Sequence, residues 1–307
     1  MTINPNIFDE DLNSYSFPIF ELNRLHKSSF IEAFKTFLKL KHLLSEIKPD
    51  FLVAHCELPE TFAAFLFGRW KTIICLHSVK AYTGHRLIGK LVRNILFLRN
   101  VNWVRVTDAI RLDSVSDISI NTIPNPILHY NSKSSSPMTF QKLNRLVFIG
   151  RISKIAKRPD LAIEIAKNTK LPLLLVGDGD WKSSLEKQTT TIWPAITFVG
   201  FKANPWQYLL PGDLIVLTSD WEGEPLLIFE IYLRQLPVLV RDIPEFRKLG
   251  LPEFNYCATP ADFTNKIQNL TMLENLVIKS SKMEEIVQSR KVNNITKMWK
   301  SYFIELM

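Results

Sequence analysis

The residue types that could do chemistry are concentrated in four short segments in the second half of the chain. Each segment follows an apolar run and combines glycine with charged or aromatic side chains; the four begin at Gly150, Val176, Val199 and Thr218. Glycine lets the backbone turn sharply or approach a ligand closely. The pattern therefore indicates a small-molecule site in this half of the chain.

The first segment, residues 150–159, ends an apolar strand with glycine and continues with four cations: Arg151, Lys154, Lys157 and Arg158. Pro159 sets the φ angle expected at the start of a helix. Fixed cations beside a helix N-terminus can bind phosphate oxygens. Taken alone, the segment is also typical of an ordinary basic loop.

The second and third segments are turns that follow strands. The second reads Val176-Gly177-Asp178-Gly179-Asp180, in which either the backbone approaches a ligand or the two carboxylates hold a divalent metal ion. In the third, Phe201 and Lys202 follow Gly200. An aromatic ring beside a cation could pack against a planar base. Alternatively, Phe201 is a core residue and Asn204 caps a helix.

The fourth segment joins an apolar strand to an amphipathic helix through an acidic turn, Glu222-Gly223-Glu224-Pro225. The backbone N–H groups of Leu226 and Leu227 are expected to be free at the helix N-terminus and to form an anion site. Glu230 lies eight residues after Glu222. Along a helix this spacing corresponds to about 12 Å, which exceeds the separation of about 5–9.5 Å between paired glycosidase carboxylates.

The elements that position these segments alternate between strands and helices, which predicts mainly parallel sheets covered on both faces. Strands are expected at 51–54, 72–76, 103–106, 146–149, 173–176, 196–199, 214–217 and 238–240. Helices are expected at 30–47, 59–67, 85–98, 159–167, from 181, at 205–209, 226–234, 261–288 and 293–306. The polar Ser/Pro-rich stretch 131–142 is interpreted as a linker between two open α/β domains.

Composition excludes several classes of protein. A chain of 307 residues with 46% hydrophobic and 22% charged residues is globular and long enough for two domains. Its apolar runs are too short to span a membrane as helices, and its polar N-terminus is not a signal peptide. The three cysteines lack metal-type spacing, which favours a reducing cytoplasm over a disulfide framework or a zinc site: Cys56, Cys75 and Cys257.

Positive charge is concentrated in residues 69–111, which contain nine Lys/Arg and one acidic residue. This segment alone accounts for the net charge of +8. Such a face either binds a phosphate-rich partner or is merely solvated. Apolar residues alternate with its cations as in an interfacial helix: Leu87, Ile88, Leu91, Ile95, Leu96 and Phe97. A peripheral, anionic membrane surface is therefore expected as a partner. Nucleic acid is not, because aromatic interleaving and a recognised binding module are both missing.

Taken in order, the four segments resemble the C-terminal domain of retaining glycosyltransferases with the GT-B fold, the glycosyl transferases group 1 family. The family is similar in its Gly-Arg…Lys loop, Val-Gly-Asp-Gly turn, Val-Gly-Phe strand end and Glu-x7-Glu motif, and the resemblance covers about 145–250. A weaker resemblance over about 48–128 rests on Lys48-Pro49-Asp50, His55, Cys75-Leu76-His77-Ser78 and Ile123-Pro124-Asn125.

The resemblance implies an α/β fold with two Rossmann-like domains and a nucleotide-sugar donor in the cleft between them. Residues 1–140 would form the acceptor-binding domain, joined by the C-terminal helix 293–307, and residues 141–292 the nucleotide-sugar-binding domain. The chain reaches Lys48 without a glycine, and the first βα unit of the family is therefore expected to be missing or remodelled. The shortened sheet could expose an edge that a second copy covers, giving a homo-oligomer.

The resemblance also implies roles for single residues. Arg151 and Lys157 would bind the diphosphate and stabilise the leaving phosphate, Glu222 would hold donor-sugar hydroxyls, and His77 would lie near the reacting sugar carbon. Glu230 would bind the ribose hydroxyls. The remaining donor-binding positions are Gly150, Gly177, Asp178, Gly179, Phe201, Lys202, Gly223, Glu224, Leu226 and Leu227. His77 and His55 could instead be core histidines that end strands.

These implications predict a retaining, metal-independent glycosyltransferase of the hexosyltransferase type, cytoplasmic and peripheral at the inner face of the cell membrane. It would move a sugar from a nucleotide-diphosphate donor, with a UDP-sugar favoured and no cofactor, to a glycan or lipid-linked glycan acceptor of the cell-surface polysaccharide or lipopolysaccharide type. Fixed cations and helix-end amides can stabilise a departing diphosphate without a metal. The alternative is a non-catalytic GT-B-like subunit that binds a nucleotide sugar or a partner.

Overall fold

The computed structural model describes Leu22 and residues 30–78, 86–111, 119–127, 142–189 and 195–307. These residues divide into two compact units. The first holds the described residues up to Arg105 and residues 119–121, and the second holds residues 106–111 and those from Thr122 onward. Most of the predicted linker lies outside the described residues, and the predicted domain boundary at 140 stays a prediction.

The first unit is built on a four-stranded sheet in the order β1-β2-β3-β4. Its strands are β1 (Phe51–His55), β2 (Lys71–Leu76), β3 (Asn102–Arg105) and β4 (Ile120–Thr122), the first three of which run parallel. Its helices are α1 (Phe30–Ile47), α2 (Glu57–Phe65) and α3 (Arg86–Leu98). Parallel neighbours bring the carboxyl ends of β1 and β2 to the same edge of the sheet.

Helix α1 buries only one side. Leu40 and Leu44, four residues apart on one helix face, pack against Phe62 and Leu66 of the α2 region. As the sequence predicts, the helix ends before Pro49, whose ring cannot continue it.

The second unit is built on six parallel strands in the order β10-β9-β8-β5-β6-β7. The strands are β5 (Arg145–Ile149), β6 (Leu173–Val176), β7 (Ile196–Gly200), β8 (Asp213–Leu217), β9 (Val238–Arg241) and β10 (Tyr256–Cys257). The helices are α4 (Pro159–Thr169), α5 (Lys182–Thr189), α6 (Leu226–Leu233), α7 (Pro244–Arg247), α8 (Pro260–Gln268), α9 (Ser281–Ser289) and α10 (Val292–Leu306).

Both faces of this sheet are buried, so its central strands are continuous apolar runs. Val147 and Ile149 of β5 belong to the core on one face, whereas Leu146 and Phe148 belong to the core on the other. Residues 261–288, which were predicted to be helical, are not helical throughout, because α8 ends at Gln268. A separate helix, α9, begins after Ser280, whose hydroxyl accepts the N–H of Met283.

Strand order reverses beside β5, the first strand of the second unit. The chain adds β6 and β7 on one side of β5 and then β8, β9 and β10 on the other. In open α/β sheets, ligands bind beyond the strand carboxyl ends at such a reversal point. The topology therefore directs attention to the segments that follow β5 and β8.

Within the described ranges, no helix has the length and apolar character that crossing a bilayer requires.

Candidate functional site

An open recess lies at this reversal point and has a volume of about 280 Å³, counting the space at its mouth. Its walls come from the ends of β5 and β8, from the loop before α4 and from the turn before α6: Phe148, Ile149, Lys157, Leu217, Thr218, Ser219, Glu222, Pro225 and Leu227. The first and fourth segments singled out in the sequence are thus brought to one place.

Lys157 and Glu222, two of the predicted catalytic residues, are paired in this recess. The Lys157 ammonium lies 2.6 Å from Oε1 and 2.8 Å from Oε2 of Glu222. The Ser219 hydroxyl donates to the same Oε1 at 2.7 Å. Glu222 is only 8% exposed, and a carboxylate withdrawn from water to this degree needs a charged partner. Lys157 and Ser219 supply that compensation.

The backbone around Lys157 is fixed from the β8 side. The Thr218 hydroxyl contacts the carbonyl oxygens of Lys157 and Arg158 at 3.1 and 2.8 Å. Arg158 has a left-handed φ of 49°, and its guanidinium binds Asp160 at 2.7 Å and Asp220 at 2.9 Å. The hydrogen bonds that Arg158 donates to Asp160 and Asp220 raise its pKa despite its partial burial. These contacts hold the Lys157 ammonium at the recess.

Gly177 and Gly179 are required by contact between the first two segments. A Cβ on Gly177 would lie 1.8 Å from the Gly150 carbonyl oxygen, and one on Gly179 would lie 2.3 Å from that of Ile152. The Ile152 N–H donates to the carbonyl of Asp178 at 2.9 Å. Backbone packing therefore explains the residue type at both glycines, and their role in donor binding stays a prediction.

Arg151 and Asp178, also predicted at the site, are exposed in these packed loops. One carboxylate oxygen of Asp178 accepts the N–H of Gly179 at 2.8 Å. Among the described residues, no group of three or more His, Cys, Asp or Glu side chains has the arrangement of a metal site.

Glu230 lies on α6 and is hydrogen-bonded to an aromatic residue from the third segment. The indole N–H of Trp206 donates to Oε2 of Glu230 at 3.1 Å. The Arg234 guanidinium lies 4.4 Å from the centre of the Trp206 ring and 3.9 Å from the same Oε2. Trp206 ends the third segment, which runs from Val199 to Trp206, and the sequence did not predict its bond to Glu230, which joins residues 24 apart in the chain.

The third segment contains both expected and unexpected contacts. Asn204 caps the short 3₁₀ helix Pro205–Tyr208 by accepting the N–H of Trp206 at 3.3 Å, which confirms the predicted cap. Phe201 is 41% exposed, so the alternative of a core phenylalanine is wrong. Lys202 lies 5.2 Å from the ring centre of Tyr208. The packing of Phe201 against a base stays a prediction.

Glu224 was predicted to bind the donor, but both of its oxygens contact groups of the chain. Its Oε2 accepts the backbone N–H and the side-chain amide of Asn125 at 2.9 and 2.6 Å. Its Oε1 forms an ion pair with Arg290. The Glu224 side chain is 3% exposed. Burial raises the pKa of Glu224, and Arg290 and Asn125 act in the opposite direction.

The predicted anion site at the start of α6 is partly occupied. The N–H of Leu226 donates to the carbonyl of Glu224 at 2.9 Å, so the expectation that this group is free is wrong. The acidic turn thus forms an internal hydrogen bond that occupies the N–H group of Leu226. Leu227 lines the recess.

His55 and His77 lie together at the carboxyl edge of the first unit's sheet. Nδ1 of His55 is 2.8 Å from Nε2 of His77, so one ring donates to the other. Desolvation and then the neighbouring His77 lower the pKa of His55 from 6.5 to about 4, and desolvation lowers the pKa of His77. Both imidazoles are therefore neutral at pH 7.

The described part of the basic segment contains cations with structural roles. Arg93 donates to Glu60 at 3.2 Å, and Arg99 donates to the carbonyl of Leu66 at 2.6 Å. The apolar residues of α3 divide between two faces: Leu96 is fully buried, so its predicted place on an interfacial surface is wrong. The exposed apolar residues are Leu87, Ile88, Leu91 and Leu98.

Comparison with known proteins identifies relatives of this chain. Residues 132–286 match the family described as Glycosyl transferases group 1. The chain is 31% identical over 219 residues to the O-antigen biosynthesis glycosyltransferase WbnH of Escherichia coli, a match that covers 68% of this chain and 63% of WbnH. The chain thus spans less than two thirds of the length of that relative.

A second relative comes from Campylobacter jejuni, the GalNAc-alpha-(1->4)-GalNAc-alpha-(1->3)-diNAcBac-PP-undecaprenol alpha-1,4-N-acetyl-D-galactosaminyltransferase. It is 26% identical over 213 residues, which cover 64% of this chain and 56% of the relative.

The crystal structure of Anabaena Alr3699/HepE in complex with UDP and glucose is similar in fold, with a TM-score of 0.76 and 17% sequence identity. The superposition covers 96% of this chain and 88% of HepE. The chain has the α/β architecture of GT-B proteins and belongs to the glycosyl transferases group 1 family.

Proposed function

We propose that this chain transfers a sugar from a nucleotide-diphosphate donor, with a UDP-sugar favoured, to a glycan or lipid-linked glycan acceptor. The observation that carries the proposal is the meeting of Lys157 and Glu222 in a recess at the reversal point of a parallel sheet. The names of the relatives support a saccharide acceptor, and UDP in the HepE complex supports the nucleotide.

The proposed roles follow from the chemistry of each side chain. Departure of the nucleotide leaves negative charge on the diphosphate, which the Lys157 ammonium and the exposed Arg151 guanidinium can compensate. Glu222 can accept hydrogen bonds from sugar hydroxyls, and Glu230 from the ribose. The Lys157 ammonium, held in place by Glu222, supports metal independence, and the family resemblance supports retention of anomeric configuration.

Donor binding requires an exchange at the Lys157–Glu222 pair. Both oxygens of Glu222 lie within hydrogen-bond distance of the Lys157 ammonium. A phosphate oxygen that binds Lys157 competes with this carboxylate, while a sugar hydroxyl that donates to Glu222 restores part of its compensation. The nucleotide and the sugar of one donor therefore satisfy the two members of the pair.

The decisive experiment measures nucleotide binding and turnover with the purified chain. We expect isothermal titration with UDP, GDP and ADP to show saturable binding that favours UDP, and we expect UDP-sugar hydrolysis or transfer to continue in EDTA. Absence of binding to all three nucleotides would contradict the proposal. Activity that requires a divalent metal would contradict its metal independence. Binding without turnover on crude glycan and lipid-linked acceptors would favour a non-catalytic subunit.

We also propose that α3 places the chain at an anionic membrane surface. The helix exposes Leu87 and Leu91, which are 85% and 59% exposed, together with the exposed cation Lys90. Apolar side chains flanked by cations suit the boundary between headgroups and acyl chains. The same surface would serve a lipid-linked acceptor.

Flotation with phosphatidylglycerol vesicles tests this surface. We expect wild-type protein to bind anionic vesicles in a salt-sensitive manner, and Leu87→Asp with Leu91→Asp to remove most of that binding. Leu210→Asp in the second unit is the matched control, since Leu210 is also an exposed leucine, at 54%. Equal loss in the control, or no vesicle binding by the wild type, would contradict the role of α3.

A further inference from the structure

We propose that Glu224 is a positioning residue, whose buried ion pair with Arg290 and hydrogen bonds with Asn125 hold the Glu222 turn and the start of α6 in the geometry that binds the nucleotide diphosphate. This inference rests on the proposed function. It assigns Glu224 a role that differs from the donor contact expected from the sequence.

The turn that carries Glu222 is held by side-chain contacts. Glu222 is anchored in the recess by Lys157 and Ser219, whereas Glu224 is anchored by Asn125 and Arg290. The residue between them is Gly223, which imposes little conformational preference of its own. The turn therefore depends on side-chain anchors at both ends.

The residues that anchor Glu224 come from distant parts of the chain. Asn125 follows β4 closely in sequence, and Arg290 lies between α9 and α10. Arg290 is itself held, since its guanidinium lies 4.8 Å from the ring centre of Phe229 and its carbonyl accepts the N–H of Ile127 at 2.9 Å. Two distant chain segments thus converge on one carboxylate.

Glu224 is also hydrogen-bonded to the start of α6. The carbonyl of Glu224 accepts the N–H of Leu226, the first residue of α6, and that helix also carries Glu230. Rotation of Glu224 would displace Glu222 on one side and the first turn of α6 on the other. Displacements of about 1 Å at such groups can cost up to about a hundredfold in rate.

A positioning role must be separated from a contribution to stability alone, and the chain offers a matched control. Asp213 is 4% exposed and is paired with Arg145 at 2.6 Å, much as Glu224 is paired with Arg290. Asp213 begins β8, about 16 Å of strand before Thr218. This second buried pair therefore lies at the opposite edge of the sheet from the recess.

The experiment compares Glu224→Gln with Asp213→Asn. We expect both variants to melt several degrees below wild type, since each leaves a partly buried arginine without its charged partner. We expect only Glu224→Gln to weaken UDP binding, by about tenfold, and to raise the donor KM more than it lowers kcat. Equal losses of UDP affinity in the two variants, or unchanged UDP affinity in Glu224→Gln, would overturn the inference.

Hydrogen exchange provides a readout that needs no ligand. We expect the amides of residues 222–227, apart from Pro225, to exchange faster in Glu224→Gln and at the wild-type rate in Asp213→Asn. If Glu224→Gln does not fold, Arg290→Lys and Arg145→Lys give the same comparison with the charges retained. A wild-type chain that binds no nucleotide would contradict the proposed function, whereas unchanged exchange at 222–227 would overturn the positioning role.

Discussion

The carboxyl ends of the strands carry different chemistry in the two units. In the second unit, the strand ends bear charges that are compensated within the unit, as in Lys157 with Glu222 and Arg158 with Asp220. In the first unit, the corresponding edge bears the hydrogen-bonded imidazoles of His55 and His77. Charged groups suit phosphate and neutral imidazoles suit uncharged hydroxyls, so we propose that the nucleotide diphosphate binds the second unit.

The largest loss of UDP affinity is expected from removing the Lys157 ammonium in the second unit. Lys157→Met should weaken UDP binding by about 2–3 kcal/mol, or about a hundredfold, because a charged hydrogen bond is lost and Glu222 remains as an uncompensated anion. Calorimetry checks this, with Lys154→Met as control, since Lys154 is an exposed lysine of the same loop. A comparable loss in the control would mean that general positive charge, and not the paired lysine, binds UDP.

Glu230 gives a smaller effect that can be attributed to the ribose. Glu230→Ala should weaken UDP binding by about tenfold, because hydrogen bonds between ribose hydroxyls and a carboxylate are removed. The sharper measurement is the ratio of UDP to 2′-deoxy-UDP affinity. The wild type should prefer UDP, and the variant should bind both alike; a preference that survives the substitution would exclude Glu230 as the ribose contact.

A substitution in the first unit should lower turnover and leave the affinity for the nucleotide almost unchanged. His77→Ala should lower kcat/KM for the donor by about tenfold, the value of one lost neutral hydrogen bond, and change UDP affinity less than twofold. Steady-state kinetics and calorimetry on the same preparation check both values. A large loss of UDP affinity would contradict the division of chemistry between the units.

The Lys157–Glu222 pair predicts that one substitution modestly strengthens UDP binding, in contrast to the losses expected above. Glu222→Gln should tighten UDP binding by about threefold, because the phosphate no longer competes with a carboxylate for Lys157. The same variant should turn over more slowly, since its amide is a weaker acceptor for sugar hydroxyls. Weaker UDP binding in this variant would show that Glu222 supports the nucleotide directly.

The histidine pair predicts a pH dependence of stability. In the unfolded chain His55 would bind a proton near pH 6.5, whereas in the folded chain its pKa is about 4. The unfolded state therefore binds more protons between these values, and stability should fall as pH drops from 6.5 towards 4. Denaturation of wild type and His55→Gln across pH 4–8 checks this. An identical pH dependence in both would remove His55 as the cause.

Much of the fold could be predicted because its signals are local. Buried parallel strands are continuous apolar runs, and β6 at Leu173–Val176 has the predicted bounds. Short elements with weak signals were missed, among them β10 at Tyr256–Cys257 and α7 at Pro244–Arg247. The predicted site residues Lys157 and Glu222 meet in one recess because they follow β5 and β8, which are neighbours in the sheet.

The partners of the site residues were harder to predict. Arg290 and Glu224 are 66 residues apart in sequence, and neither residue type nor spacing indicates that they form a pair. Trp206 and Glu230 present the same difficulty. Such contacts depend on how loops from different strands are packed, which local patterns do not specify.

The close approach of Gly177 to the Gly150 carbonyl has a consequence for protein engineering. Because any Cβ at position 177 would overlap this oxygen, the loop after β5 and the loop after β6 form a single interlocking surface. An attempt to change donor preference by transplanting only one of these loops from a relative would create a steric mismatch with the other. The two should be exchanged together, as one cassette.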